Sequence, residues 1–117
     1  MAHPILHAKS NQKKYGGKWE DYIHLHEWMD FTKSWIGHSF HRAFRHHSEG
    51  IFEAEKIFGT HFTNSDDKIV YTRYCLEDHV KEDCFNHIPS AKEWIKALQD
   101  KEKPMWMMRT LDLKFDD

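Results

Sequence analysis

The sequence is poor in most of the features that mark a familiar architecture. Cysteine is nearly absent: Cys75 and Cys84 are the only two, nine residues apart. That spacing contains no C-x-x-C pair, so it signals neither a zinc ribbon nor a dithiol redox motif. Both thiols read as small half-buried side chains, with Cys84 beside Asp83 as the minority ligand reading. Three prolines and five glycines exclude a collagenous or low-complexity chain. No apolar run approaches the ~18 residues of a membrane helix. The opening residues lack the charged, then apolar, then small-residue order of a secretory signal, which points to a reducing, cytoplasmic setting. No excess of one charge stands out either. Lys and Arg number 17 against 19 Asp and Glu, a net charge of -2, which excludes binding to nucleic acid by phosphate attraction alone. There is no internal repeat and no linker, so 1–117 reads as a single domain. One residue type is plentiful: 11 of the 117 positions are histidine.

Local patterns predict a mainly α fold of the α+β kind, with an antiparallel helical hairpin, two further helices and a small β-hairpin. Residues 1–18 read as irregular, with Pro4 and Gly16-Gly17 as breakers. A helix is expected from Trp19 to Ile36, stopped by Gly37. Ser39 is placed to cap a second helix running to Phe58, with Gly59 just past its end. The short gap between the two makes an αα-hairpin. Two β-rich runs, Thr60–Thr63 and Lys68–Tyr74, flank Asn64-Ser65-Asp66-Asp67 and predict a β-hairpin. Leu76–Phe85 reads as a short helix. Ser90-Ala91-Lys92-Glu93 is a capping box that opens another, ending near Gln99. The tail from Lys101 is ambiguous: 105–108 is apolar, whereas Leu111, Leu113 and Phe115 alternate like a strand.

Helical residues advance by about 100° each, which assigns the histidines to faces. In the first predicted helix, His26 borders the apolar face formed by Tyr22, Leu25, Met29 and Ile36. Asp30 is its i,i+4 neighbour. His24 and Glu27 turn away. In the second, His47 lies within the stripe of Phe40, Ala43, Phe44, Ile51 and Ala54. His41 and His46 fall off that stripe and read as surface or hydrogen-bonding residues, and Arg42 and Arg45 read as solvated. Ala43 and Gly50 are small enough for a close approach. In the next helix His79 and Asp83 share the inward face with Leu76 and Val80, a second H-x-x-x-D. Burying imidazoles and carboxylates costs free energy unless each finds a partner. The two available solutions are a hydrogen-bonded polar core and a metal centre. The metal reading assigns His26, His47, His79 and Asp83 to a divalent transition ion (zinc, or iron or manganese), with Asp30 orienting a ligand or activating water. His3 and His7 are placed to fold over such a cluster.

Motif searches narrow the chemistry little. His26-Glu27-Trp28-Met29-Asp30 is H-E-x-x-D rather than the zincin H-E-x-x-H. No Walker A, Rossmann or G-x-S-x-G pattern occurs. The order of a His, a His-rich helix, then His and Asp on a later helix is similar to the scheme of HD-domain phosphohydrolases. It departs from it where that family has a His-Asp doublet, because the adjacent pair here is His46-His47. Across residues 1–98, the Met-Ala-His-Pro opening, the Gly-Gly loop and His-x-Trp-x-Asp at 26–30 resemble a small uncharacterised His-rich family of bacteria and their phages. The same holds for His-Arg-Ala-x-Arg-His-His-x-Glu-Gly at 41–50, Asn-Ser-Asp at 64–66 and His-Val-x-Glu-Asp at 79–83. That resemblance implies no catalytic assignment.

Two classes of function fit these observations. The first is a metal-dependent hydrolase of phosphoester or nucleotide substrates. The second is a non-enzymatic regulatory or interaction module with a hydrogen-bonded His core. In that case the tail 101–117 supplies the contact with a protein partner or a second copy. Nucleic-acid binding through Lys13-Lys14-Tyr15-Gly16-Gly17-Lys18-Trp19 is disfavoured by the charge balance.

Overall fold

The computed structural model describes residues 3–107. The protein is mainly α-helical with one small antiparallel hairpin. The calls that fall on 108–117, including the alternating Leu111, Leu113 and Phe115, lie outside the described residues.

The N-terminal segment differs from the irregular stretch expected of 1–18. Helix α1 spans Pro4–Tyr15. Proline at the first position of a helix starts it rather than breaks it, since that N–H has no intrahelical partner to lose. The His3 side chain accepts from the Ile5 N–H at the N-cap, and Gly16 ends the helix with φ 88°. Its sequence carries little apolar periodicity, so nothing but its caps announces it.

The helix expected over Trp19–Ile36 is broken into three. A 3-10 turn, Trp19–Asp21, precedes α2 (Ile23–Asp30), and a second 3-10 segment, Phe31–Ser34, follows. The chain opens before Gly37, as expected. The next predicted helix also divides. Ser39–Phe44 is 3-10, capped by His38, and α3 (Ser48–Phe58) starts after a break. Gly59 closes α3 at φ 92°.

Strands β1 (His61–Thr63) and β2 (Ile69–Tyr71) pair antiparallel, with Phe62 opposite Val70. Helix α4 begins at once, over Thr72–Asp83, so the second strand is shorter and the helix longer than expected. The Ser90/Glu93 capping box forms and opens α5 (Ala91–Gln99). Residues Met105–Met107 form a last 3-10 turn. Tyr22, Leu25, Met29, Ile51, Leu76, Val80 and Trp94 make a continuous core.

The hairpin turn fixes α1. Asn64 Oδ1 accepts from the N–H groups of Asp66 and Lys68, and Asp67 supplies the left-handed residue at φ 60°. The Asn64 amide donates to the Tyr15 carbonyl and the Tyr22 hydroxyl. Gly17 donates to Asp66, and Ser65 donates to Asp21. The Asn-Ser-Asp turn therefore clamps the Gly16-Gly17 loop. That clamp lays α1 against α2 and α4, with His7 and Asn11 facing inward.

Candidate metal centre

Four side chains from two helices and one break converge in the core. Asp30 ends α2, His46 sits in the break before α3, and His79 and Asp83 lie one turn apart on α4. His46 Nε2 is 3.1 Å from His79 Nε2, 3.1 Å from Asp83 Oδ2 and 3.2 Å from Asp30 Oδ1. His79 Nε2 is 3.1 Å from Asp30 Oδ1 and 3.3 Å from Asp83 Oδ2. A tetrahedral ion with bonds of 2.0–2.1 Å separates its ligands by about 3.3–3.4 Å, so these edges suit one transition ion. These four residues can hold a metal.

Local structure explains how each donor arrives. Trp94 Nε1 donates to the His46 carbonyl at 2.8 Å and pins the break from the α5 side. Arg45 stacks its guanidinium 4.1 Å from the Trp28 ring centroid and donates to the Trp28 carbonyl. Between these anchors the backbone turns His46 inward. Gly50 permits the turn, because the Arg45 carbonyl oxygen would lie 2.0 Å from a Cβ there. The close approach expected at Gly50 is thus an approach by the preceding residues' own backbone.

The surroundings are charged and buried. Asp83 Oδ1 lies 3.8 Å from buried Arg42 and 3.5 Å from His7 Nε2. His7 Nδ1 reaches Glu82 at 2.6 Å, and its ring stacks on His79 with centroids 3.7 Å apart. Burial opposes charge on His7, but the Asp83 carboxylate 3.5 Å away and the hydrogen bond to Glu82 prevail and raise it to about 9. Desolvation likewise opposes ionisation of Asp30 and Asp83, and the adjoining imidazoles overcome it, holding both carboxylates well below their ordinary range. His46 is raised by the same two carboxylates against its complete burial. His41 is buried beside His46 and held down to about 4, first by desolvation and then by the charge on His46.

His79, Asp83 and Asp30 come together as candidate site residues. His26 and His47 do not join them. His26 is buried one layer out: its Nδ1 faces His79 Nδ1 at 2.8 Å and its Nε2 meets Asn11 Oδ1. His47 caps α3, its Nδ1 accepting from the Gly50 N–H at 2.9 Å while Nε2 bonds the Phe44 carbonyl. Both ring nitrogens of His47 are thereby engaged away from the centre. The expectations for His46 and Arg42 are reversed, since both are buried in the cluster. The reason is helical phase: Ser39–Phe44 winds as a 3-10 helix with about 120° per residue, and the break at 45–47 resets the face. His7 does fold over the cluster, as expected, but from a helix; Asn11 escaped sequence reasoning because α1 was not read as a helix. The one available signal was Pro4 placed after a residue that can cap. Cys84 and Cys75 are buried free thiols, both pushed up to about 12, mainly by desolvation.

The four donors are 8, 0, 0 and 1% exposed in chain order, so Asp30 alone approaches solvent. It opens onto a surface groove of about 510 Å³ lined also by His3, Pro4, Glu27, Phe31, Lys33 and Ser34.

This geometry can be set against known proteins. The family model of a domain of unknown function, DUF6915, matches residues 2–107. The chain belongs to that family. The match takes in the whole centre, from His7 on α1 to Asp83 on α4. Neither a curated protein nor a solved structure matches the chain. Family membership therefore brings no activity with it, and the function must be argued from the centre. No helix among the described residues is long and apolar enough to cross a membrane.

Proposed function

We propose that this protein binds one divalent transition metal ion through Asp30, His46, His79 and Asp83. The observation that carries the reading is the donor geometry: two Nε2 atoms and two carboxylate oxygens lie within 4.8 Å of one another in the buried core, and each nitrogen is 3.1–3.3 Å from both oxygens. A mixed imidazole and carboxylate set suits zinc, iron or manganese. Two carboxylates close together in a low-dielectric interior repel unless a cation lies between them. Two protons on the imidazoles, or one divalent ion, meet that need.

The activity that fits such an ion is hydrolysis of a phosphoester or nucleotide in the cytoplasm. In that role His46, His79 and Asp83 would hold the ion, and Asp30, the donor nearest the groove, would leave the fourth position open and orient water there. Lys33 on that groove offers the charge to receive a phosphoryl group. A second reading, a regulatory interaction module, draws on the exposed rings of Phe31, Trp35 and Phe44, which contact one another in series. In that reading the C-terminal tail 101–117 adds to the contact with a partner or second copy.

Elemental analysis of untagged protein tests the first reading. About one equivalent of a transition metal is expected, removable by chelator and restored by added zinc, iron or manganese. His46→Ala abolishes uptake. Less than about 0.1 equivalent, with no uptake on addition, overturns the metal centre. Hydrolysis of an aryl phosphate that persists after chelation overturns the catalytic part.

A further inference from the structure

We infer that Asn11 and His26 form a positioning relay that fixes the protonation pattern of His79 and so sets the affinity of the metal centre. The inference rests on the proposed metal reading and extends it to two residues that contact no ion.

The argument is a count of protons along one buried chain. A neutral imidazole carries one N–H and one lone pair. His79 Nε2 can ligate a metal only with its lone pair, so its proton must sit on Nδ1. The atom facing His79 Nδ1, at 2.8 Å, is His26 Nδ1. Two ring nitrogens at that distance share a single proton: one donates and the other accepts. If His79 donates, His26 Nδ1 is the lone pair and the proton of His26 sits on Nε2. That N–H needs an acceptor, and the Asn11 side-chain oxygen provides it. A neutral His26 brings one proton only, and its burial admits no other donor, so the chain has no second proton to relieve the constraint. Asn11, His26 and His79 are all 0–1% exposed, which keeps water from substituting for any partner.

The chain thus has two settings. With the Asn11 oxygen facing His26, the lone pair of His79 Nε2 points at the other three donors. With the Asn11 amide turned over, its N–H₂ donates to His26, His26 donates to His79, and Nε2 carries a proton into the metal position. The Asn11 orientation found here is that of the first setting. Outer-shell hydrogen bonds to ligating histidines typically change metal affinity by about 10- to 100-fold. Here the outer shell is an imidazole backed by an amide, so the setting rests on the orientation of Asn11.

The relay makes Asn11→Asp and Asn11→Leu behave differently. An ionised aspartate only accepts, so it locks the first setting; leucine leaves the His26 N–H without a partner. Zinc affinity is read by chelator competition on the full chain, alongside the melting temperature of the metal-free protein. Asn11→Asp is expected to bind zinc at least as tightly as the parent, and Asn11→Leu about 10- to 100-fold more weakly. A merely structural role for Asn11 would weaken both in step with their loss of stability, and that result overturns the relay. Equal affinity for all three proteins does so too. The second readout is ¹⁵N NMR of the imidazoles in the zinc-loaded parent. His26 is expected with its proton on Nε2 and His79 with its proton on Nδ1. A proton on His26 Nδ1 overturns the relay while leaving the metal centre intact. A parent that takes up no zinc sinks the metal reading itself, and the relay with it, before any variant is compared.

Discussion

Asp83→Asn keeps the volume of the side chain and removes one negative charge from the centre. In the metal-free protein that charge faces four groups. His46 and His79 lie 3.1 and 3.3 Å from Oδ2, and His7 and Arg42 lie 3.5 and 3.8 Å from Oδ1. Arg42 is 1% exposed, and Asp83 is the carboxylate that lies within ion-pair distance of it among the described residues. The substitution leaves that guanidinium buried with no counter-ion. Breaking a buried pair from one side costs about 3–5 kcal/mol. For a chain this long, 1 kcal/mol moves the melting temperature by about 4 °C, so a fall of about 12–20 °C is expected. The assay is urea and thermal unfolding in the presence of chelator, which removes any contribution from bound metal. Asp100→Asn is the control. Its Lys96 partner is 78% exposed, and a surface pair contributes less than about 1 kcal/mol. Adding Arg42→Met to Asp83→Asn removes the orphaned charge and should recover part of the loss. A cost below about 1 kcal/mol, or no recovery in the double variant, refutes the view that Asp83 neutralises a buried arginine.

Three further outcomes follow from the same contacts. Stability of the metal-free protein should peak near neutral pH. His7, raised to about 9, contributes stability fully present below its ordinary value of 6.5 and lost as pH rises through about 9. His41, held down to about 4, has the opposite sign: the unfolded chain takes up that proton first, so stability falls as pH drops from 6.5 towards 4. Unfolding free energies that stay flat from pH 5 to 9 contradict both assignments. Gly50→Ala should destabilise by about 1–3 kcal/mol or more, since its Cβ meets the Arg45 carbonyl oxygen at 2.0 Å; a neutral result in chemical denaturation argues against that approach. His47→Ala should cost about 1 kcal/mol through loss of the α3 cap, recovered by His47→Asn, and leave zinc affinity within a few-fold. A hundredfold loss of affinity would return His47 to the ligand set.

Local chemistry in the sequence was enough for the β-hairpin, the α5 capping box and the helix stop at Gly59. In each case a few neighbouring residues decide the backbone by themselves: Asn64 bonds its own turn, Ser90 and Glu93 bond each other's N–H groups, and Gly59 takes a positive φ. The pair His79 and Asp83 was legible for a related reason, because α4 is a regular helix and i,i+4 neighbours on it share a face. The second His–Asp pair shows the limit of the same rule. Asp30 ends α2 and faces the centre, whereas His26, one turn earlier, points at the ring of His79 instead. Spacing places two side chains on one face but does not say which of two adjacent layers each will occupy.

The exchange of His47 for His46 arises from a different cause. A face computed at 100° per residue holds only while the helix stays α. Here the chain runs 3-10 through Ser39–Phe44 and then breaks. Gly50 gives the break local room, but what holds it in place is tertiary: the indole of Trp94 on the His46 carbonyl and the indole of Trp28 under Arg45. Both indoles are distant from the break in sequence, so the rotation that buries His46 and Arg42 is set by the packed protein more than by the segment itself. The same holds for α1. It places none of the four donors, yet it carries His7 and Asn11 and is tied to α4 through Ser10 on Glu82 and through Lys14 and Tyr15 on Asp78. The centre is thus enclosed by a helix whose docking depends on the Asn64 turn some fifty residues later in the chain. Any change that loosens that turn should reach the centre through Asn11 and His26, although Asn64 contacts none of the four donors.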